Sequence, residues 1–229
     1  MKISFAGLET CLEVNECMPF CLEVANPTFF ARLCQSLLGC MGEDAPEPYT
    51  IWSSEGTELR SQSVILPVAN PFGLPWGDKL LASGFPALME QRFKEDEELR
   101  GEAEDLAHKL SSLVAAIALQ FNADYTYAKD WEVKKYLKAF GFGVEVLSNA
   151  SLLDNLIRFI DFASDMSFRG VIIFLNLKIF LVDSDIDLLY ERVFFQGLKV
   201  VLLENAHDAI KRPHEQKLVI DQDFLESFS

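Results

Sequence analysis

The segment from Arg169 to Asn205 constrains this chain more than any other, because its two runs "GVIIFLN" and "LKVVLLEN" are apolar at consecutive rather than alternate positions. A strand that buries both faces needs a layer of structure above and below it, as in the parallel sheet of an α/β protein. Between the runs, Ile186, Leu189, Val193 and Phe194 recur at helical spacing, Asp183 or Ser184 can cap the helix, and Gly197 supplies the stop. Upstream, "GVEVLS" (143–148) reads as a third strand, followed by a helix carrying Leu153, Leu156, Ile157, Ile160 and Ala163 on one face. The order β-α-β-α-β predicts parallel strands joined by right-handed crossovers. Their carboxyl ends are Ser148/Asn149, Asn176 and Glu204/Asn205. That edge is where open α/β sheets bind ligands, although asparagines also serve there simply to cap turns.

In the first third, "KISFAGL" and "PFCLEVA" read as strands, and "PTFFARLCQSLL" begins a helix at Thr28. Gly42 to Glu58 is an acidic loop or hairpin around "YTIW", and the proline-rich "LPVANPFGLPWG" marks a lobe boundary. A long amphipathic helical stretch follows, carrying Phe85, Leu88, Met89 and Phe93 and then Leu106, Leu110, Leu113, Val114 and Ile117, with "KEDEELRGEAED" as its solvated face. The expected organisation is an α/β core formed by 1–75 and 143–229, interrupted by an α-helical leg over 76–142.

The formal charge of −15 disfavours polyanions unless lysines gather on one surface or divalent cations intervene. The N-terminus resembles neither a signal peptide nor an anchor, and the apolar runs are too short to span a membrane, so a cytoplasmic location is expected. Five cysteines lie in the first forty residues with no C-x-x-C pair and no nearby histidine, which suits buried reduced thiols better than zinc or disulfides. Where a phosphate loop would lie, between "PFCLEV" and the next helix, the sequence is "ANPTFF", without glycine or lysine. No G-x-S-x-G, H-E-x-x-H or G-x-G-x-x-G occurs, so no enzymatic activity is expected. One cluster remains, "NADYTYAKDWEVKKYLKAFG". Asp124, Asp130 and Glu132 offer hard oxygen ligands, and Lys134, Lys135 and Lys138 follow within five residues on a helix. The same residues also suit an ordinary helix start and a solvated face.

"YLKAFGFGVEV", "SLLDNLIRFIDF", "RGVIIFLN", "FLVDSDIDLLYERV" and "LKVVLLEN", with the closing "KLVIDQDFL", together resemble the small accessory adaptation protein of subtype II-A CRISPR systems. The likeness is densest from Leu137 to Asn205, and in the first third it rests on "ISFAGL" and "PFCLEV" with its helix. It implies a truncated P-loop-hydrolase-like core without a working phosphate loop, a helical leg, and a homotetrameric ring whose channel receives double-stranded DNA ends. It further implies calcium held by carboxylates and a role in spacer acquisition alongside the integrase subunits and the effector nuclease. Asp124 matches the first carboxylate of the calcium pattern. Lys129 and Lys135 fall near the register of the later ones, so Asp130 and Glu132 can serve only with a shifted helix start. For DNA, clustering points to Lys134, Lys135 and Lys138, with Lys178 beside a strand end. Two rivals stand beside this reading: a nucleotide-dependent kinase or hydrolase with a divergent phosphate site at Asn149, Asn176 and Glu204, and a protein-only scaffold that docks the integrase or the nuclease.

Overall fold

The computed structural model describes residues 1–16, 18–123, 125–126, 131–141, 143–145, 147, 149–206, 208, 210 and 212–228. The first elements are β1 (Lys2–Phe5), β2 (Leu12–Glu13), β3 (Phe20–Val24), α1 (Pro27–Gly39), β4 (Tyr49–Trp52), α2 (Ser61–Val64), β5 (Ile65–Val68) and α3 (Lys79–Ala82). The helices α4 (Gly84–Glu95), α5 (Glu97–Ala118) and α6 (Val133–Ala139) follow. The chain then closes with α7 (Leu152–Asp165), β6 (Val171–Leu175), α8 (Asp183–Gln196), β7 (Lys199–Glu204), β8 (Gln216–Ile220) and β9 (Glu226–Phe228). Two compact units result: Met1–Leu81 with Leu147–Ser229, and Ala82–Val146.

The first unit is built on a six-stranded sheet of order β5-β6-β7-β3-β8-β9, parallel except for β9, which runs antiparallel to β8. Side chains alternate across it, so each strand feeds two cores. Leu22, Val171, Ile173, Val201 and Leu218 pack with Phe29, Leu33 and Leu37 of α1 and with Ile3 and Ile51 of the small antiparallel sheet β2-β1-β4. On the other face Ile172, Phe174, Val200 and Leu202 meet Leu156, Phe159 and Ile160 of α7 and Ile186, Leu189 and Val193 of α8. This is a mixed α/β fold with a mostly parallel sheet, and its two most apolar strands are buried throughout: β6 has every residue buried, and β7 all but Lys199.

Several local expectations change. "GVEVLS" forms no strand among its described residues: Gly143, Val144, Glu145 and Leu147 are all exposed, and Val146 and Ser148 lie outside the described set. Its place beside β6 goes to β5, whose "ILPV" sits inside the proline-rich passage. Pro67 is tolerated because β5 is an edge strand, where a missing donor can face outward. Helix α1 starts at Pro27 rather than Thr28, with Asn26 as its cap. Helix α8 is entered through Val182 without a side-chain cap, because Asp183 is committed to Arg212. In the second unit the helical stretch breaks at Asp96, which accepts the Leu99 N–H and so caps α5.

Gly170 precedes β6 where the chain passes Val64 so closely that a Cβ would lie 2.1 Å from that carbonyl oxygen. Gly170→Ala is expected to cost about 1–3 kcal/mol through forced displacement of β5 against β6, read as a lowered urea midpoint. Gly77→Ala, where a Cβ meets open space, should leave the midpoint nearly unchanged.

Candidate functional site

At the carboxyl edge of the parallel sheet the described residues gather charge. Cys21 and Glu23 of β3, Glu204 of β7 and Lys217 of β8 come together with Lys178, Asp208 and Glu215 from the loops beyond the strands. The Lys217 ammonium, 2% exposed, lies 3.0 Å from Glu23 Oε1 and 3.4 Å from Glu215 Oε2. It also donates to the Asp208 and Ile210 carbonyls at 2.7 and 3.0 Å. Lys178 lies 2.7 Å from Glu215 Oε1, 3.5 Å from Asp208 and 3.7 Å from Glu23. Each buried cation thus faces the same three carboxylates, the arrangement that makes desolvated charge tolerable.

Burial sets the direction of the shift for two members of this cluster. It pushes Cys21 well above the ordinary thiol value and raises Glu204 to about 7, although the Lys178 N–H and ammonium pull Glu204 back toward ionisation. Burial alone would lower Lys178. Cys21 and Glu215 reverse that, and because the buried thiol is neutral at pH 7, the Glu215 carboxylate is what holds the ammonium charged. Asn176 accepts the Asn205 N–H at 2.9 Å, and Asn205 Nδ2 donates to the Val24 carbonyl at 2.8 Å. The two asparagines therefore tie loop ends together.

The loop after β3 is closed as well. Asn26 Oδ1 accepts the N–H groups of Thr28 and Phe29, both at 3.0 Å, and Pro27 has none to give. The first-turn donors that would cradle a phosphate are already taken.

The other candidates lie in the second unit. Buried Val133 and Leu137 anchor α6, which leaves Lys134, Lys135 and Lys138 exposed. Lys134 pairs with Glu90 at 3.0 Å and Lys135 with Glu132 at 2.6 Å; no ion pair involves Lys138 among the described residues. Lys178, grouped with these lysines by sequence, is 9% exposed in the buried cluster and offers no surface for DNA. Asp124 and Asp130 lie outside the described residues. Glu132, engaged by Lys135, is the one described member of the calcium set and does not make a cation site by itself. No group of three or more His, Cys, Asp or Glu is placed to hold a metal among the described residues. Cys11, Cys21, Cys34 and Cys40 are free thiols, and Cys17 lies outside the described residues. Sequence reasoning missed Lys217, Glu23, Glu215 and Arg212. A charged residue inside an apolar strand run, as in "CLEV" and "KLVI", was the available signal.

Glu204 ionises at its ordinary 4.5 in the unfolded chain but near 7 when folded. Between those values the folded state keeps a proton that the unfolded state has released. Its contribution to stability is therefore greatest below pH 4.5 and falls as pH rises to 7, a loss on the order of 3 kcal/mol. Glu204→Gln keeps an acceptor for the Lys178 N–H and abolishes the titration. Urea unfolding at pH 5 and pH 8 should show a clearly smaller stability loss at pH 8 in the variant, whereas an identical pH dependence in both proteins would refute the assignment.

Among solved structures, the chain is similar to Stu0660 of Streptococcus thermophilus, known from its crystal structure, at a TM-score of 0.54 and 13% identity, covering 96% of this chain and 75% of that one. At that identity the likeness is one of fold. Comparison with curated proteins gives no sequence match. The family model described as CRISPR-associated protein (Cas_Csn2) matches residues 44–224, more than half of the 229 residues. The chain therefore belongs to the CRISPR-associated Cas_Csn2 family, whose members are accessory proteins of CRISPR adaptation.

Proposed function

We propose that this protein is a non-catalytic, ring-forming holder of double-stranded DNA ends that assists spacer acquisition together with the integrase subunits and the effector nuclease of its CRISPR system. The core is read as a P-loop-hydrolase-like scaffold that has given up its phosphate site. The observation carrying this reading is the pair of closures at the sheet edge, Asn26 over the start of α1 and the lysine–carboxylate cluster, which among the described residues take up the donors and cations that a triphosphate would use. The nucleotide-dependent alternative at Asn149, Asn176 and Glu204 loses support for the same reason, since Asn176 is spent on Asn205 and Glu204 on Lys178.

DNA contact in this proposal falls to the exposed lysines of α6. Phosphate contacts of this kind are sequence-independent and weaken steeply with salt. Gel shifts with linear duplex and with covalently closed circular duplex test it, with calcium and then with a chelator. Binding confined to the linear form, and weakened in K134A/K135A/K138A, is expected, with the log–log salt slope falling by about 0.9 per contact removed. Affinity that hardly changes with salt would sink the phosphate-contact model.

Self-assembly is supported by an inversion on α5. Apart from Arg100, its half-buried positions are Ala103, Ala107, Ser111, Ala115 and Ala118, while its larger apolar side chains face solvent: Leu106, Leu110, Leu113, Val114 and Ile117 are each 53–64% exposed. Leu106, Leu110, Leu113 and Ile117 follow the 4-3-4 spacing of a helix-pairing seam. A seam of this length left in water is the mark of a surface awaiting another helix. Leu110→Asp with Leu113→Asp, both exposed and so compatible with the fold, should shift sedimentation to a smaller species. An unchanged assembly would remove α5 from the ring contacts.

A further inference from the structure

Helix α8 carries a second unpartnered face, in the other unit and of different chemistry. Its buried side, Ile186, Leu189, Tyr190 and Val193, packs onto the sheet. Its outer side presents Leu188 at 49%, Phe194 at 46% and Phe195 at 70% exposure. Leu188 and Phe195 are seven residues apart, two turns on one ridge, with Glu191 between them. The two phenylalanine rings lie 5.7 Å apart, and the His214 ring lies 6.2 Å from Phe194. A groove of about 540 Å³ runs between this ridge and the segment Arg212–His214.

Among the described residues, the exposed carboxylates beside this groove outnumber the exposed cations. Asp183 and Asp187 are 64% and 61% exposed, and Glu191 is exposed between the apolar positions. The one arginine lining the groove, Arg212, is 3% exposed and is spent from beneath on Asp183 at 2.7 Å and Asp187 at 2.9 Å. Arg192 is turned away to Asp161 on α7. The groove lining therefore offers Leu188, Tyr190 and Pro213 with Asp187 and Glu191 beside them, Phe195 lies further along the same ridge just outside that lining, and Arg212 does not reach the surface. Such a face repels duplex DNA and complements a partner with apolar and cationic side chains on adjacent stripes.

We propose that the α8 groove docks a basic amphipathic helix of another protein, placing Leu188 and Phe195 against its apolar stripe and Asp187 and Glu191 against its lysines or arginines. The adaptation reading enters only in naming the source of that helix, a second protein of the same CRISPR system; the groove and its chemistry stand without it. The energy resides in Phe195 and Leu188, and the carboxylates set partner choice and encounter rate.

The test uses the full chain and two synthetic helices of roughly sixteen residues sharing one leucine stripe, the first flanked by lysines and the second by glutamates. Fluorescence anisotropy should show the lysine helix binding, weakening as salt rises, and the glutamate helix binding at least tenfold more weakly. Phe195→Ser and Glu191→Lys alter exposed side chains, so the fold should survive, as a thermal melt will verify. Each should weaken the lysine helix about tenfold or more, while Glu43→Lys, elsewhere on this acidic chain, should leave it unchanged. Equal binding of the two helices, equal effects of all three substitutions, or no effect of the first two would overturn the proposal. So would a drop in sedimentation coefficient in Phe195→Ser, which would assign the face to a second copy of this chain. Linear-DNA binding and the sedimentation of Leu110→Asp/Leu113→Asp are read in parallel, so failure of the DNA or ring reading is told apart from failure of this one.

Discussion

Much of this structure depends on placing one carboxylate, Glu23, at the end of a strand that has no exposed face. Strand β3 lies between β7 and β8, and all five of its residues are buried. An isolated carboxylate there would cost far more than a folded protein has to spare, so it must neutralise or be matched. It is matched by Lys217 from the adjacent strand and by Lys178 from the loop after β6, and those two in turn need Glu215 and Asp208. Five side chains from both ends of the sequence are bound into one electrostatic problem with one satisfactory geometry. The cluster fixes where the loops beyond β3, β6 and β7 can go.

The parts of the fold legible in the sequence were those whose signal is local. Strands β6 and β7 advertised themselves by continuous apolar runs and α7 by its 3.6-residue spacing, whereas its Ser151/Asp154 capping box emerged only in the structure. Strand β5 was hidden because Pro67 reads as a breaker, and only the tertiary fact that β5 is an edge strand makes it harmless. "GVEVLS" misled in the opposite direction, since its strand-like composition has no neighbour to pair with. Lys178 was misread for a related reason: next to a strand end, a lysine destined for solvent and one destined for a buried carboxylate look alike until Glu215, 37 positions along, folds against it. The α6 lysines were legible as a cluster, but their pairing with Glu90 and Glu132 was not.

The net charge of −15 conceals local differences: α8 carries exposed Asp183, Asp187 and Glu191, the junction of α4 and α5 carries the exposed acidic run Glu95–Glu98, and the exposed lysine cluster belongs to α6. A polyanion and a polycation can therefore each find a compatible surface on one chain. Apolar seams accompany both: alanines in and leucines out on α5, and phenylalanines among carboxylates on α8. On α5 the larger apolar side chains are the ones left in water, whereas α8 buries Ile186, Leu189, Tyr190 and Val193 and leaves Leu188, Phe194 and Phe195 outside.

That arrangement has a thermodynamic cost on α5. Neither α4 nor α5 has a single fully buried residue. On the proposed pairing of α5, covering these outward-facing groups would stabilise the second unit through its partner, by an amount that scales with the logarithm of partner concentration. Dilution would then stress this unit more than heat, and copy number in the cell would set how long it survives proteolysis.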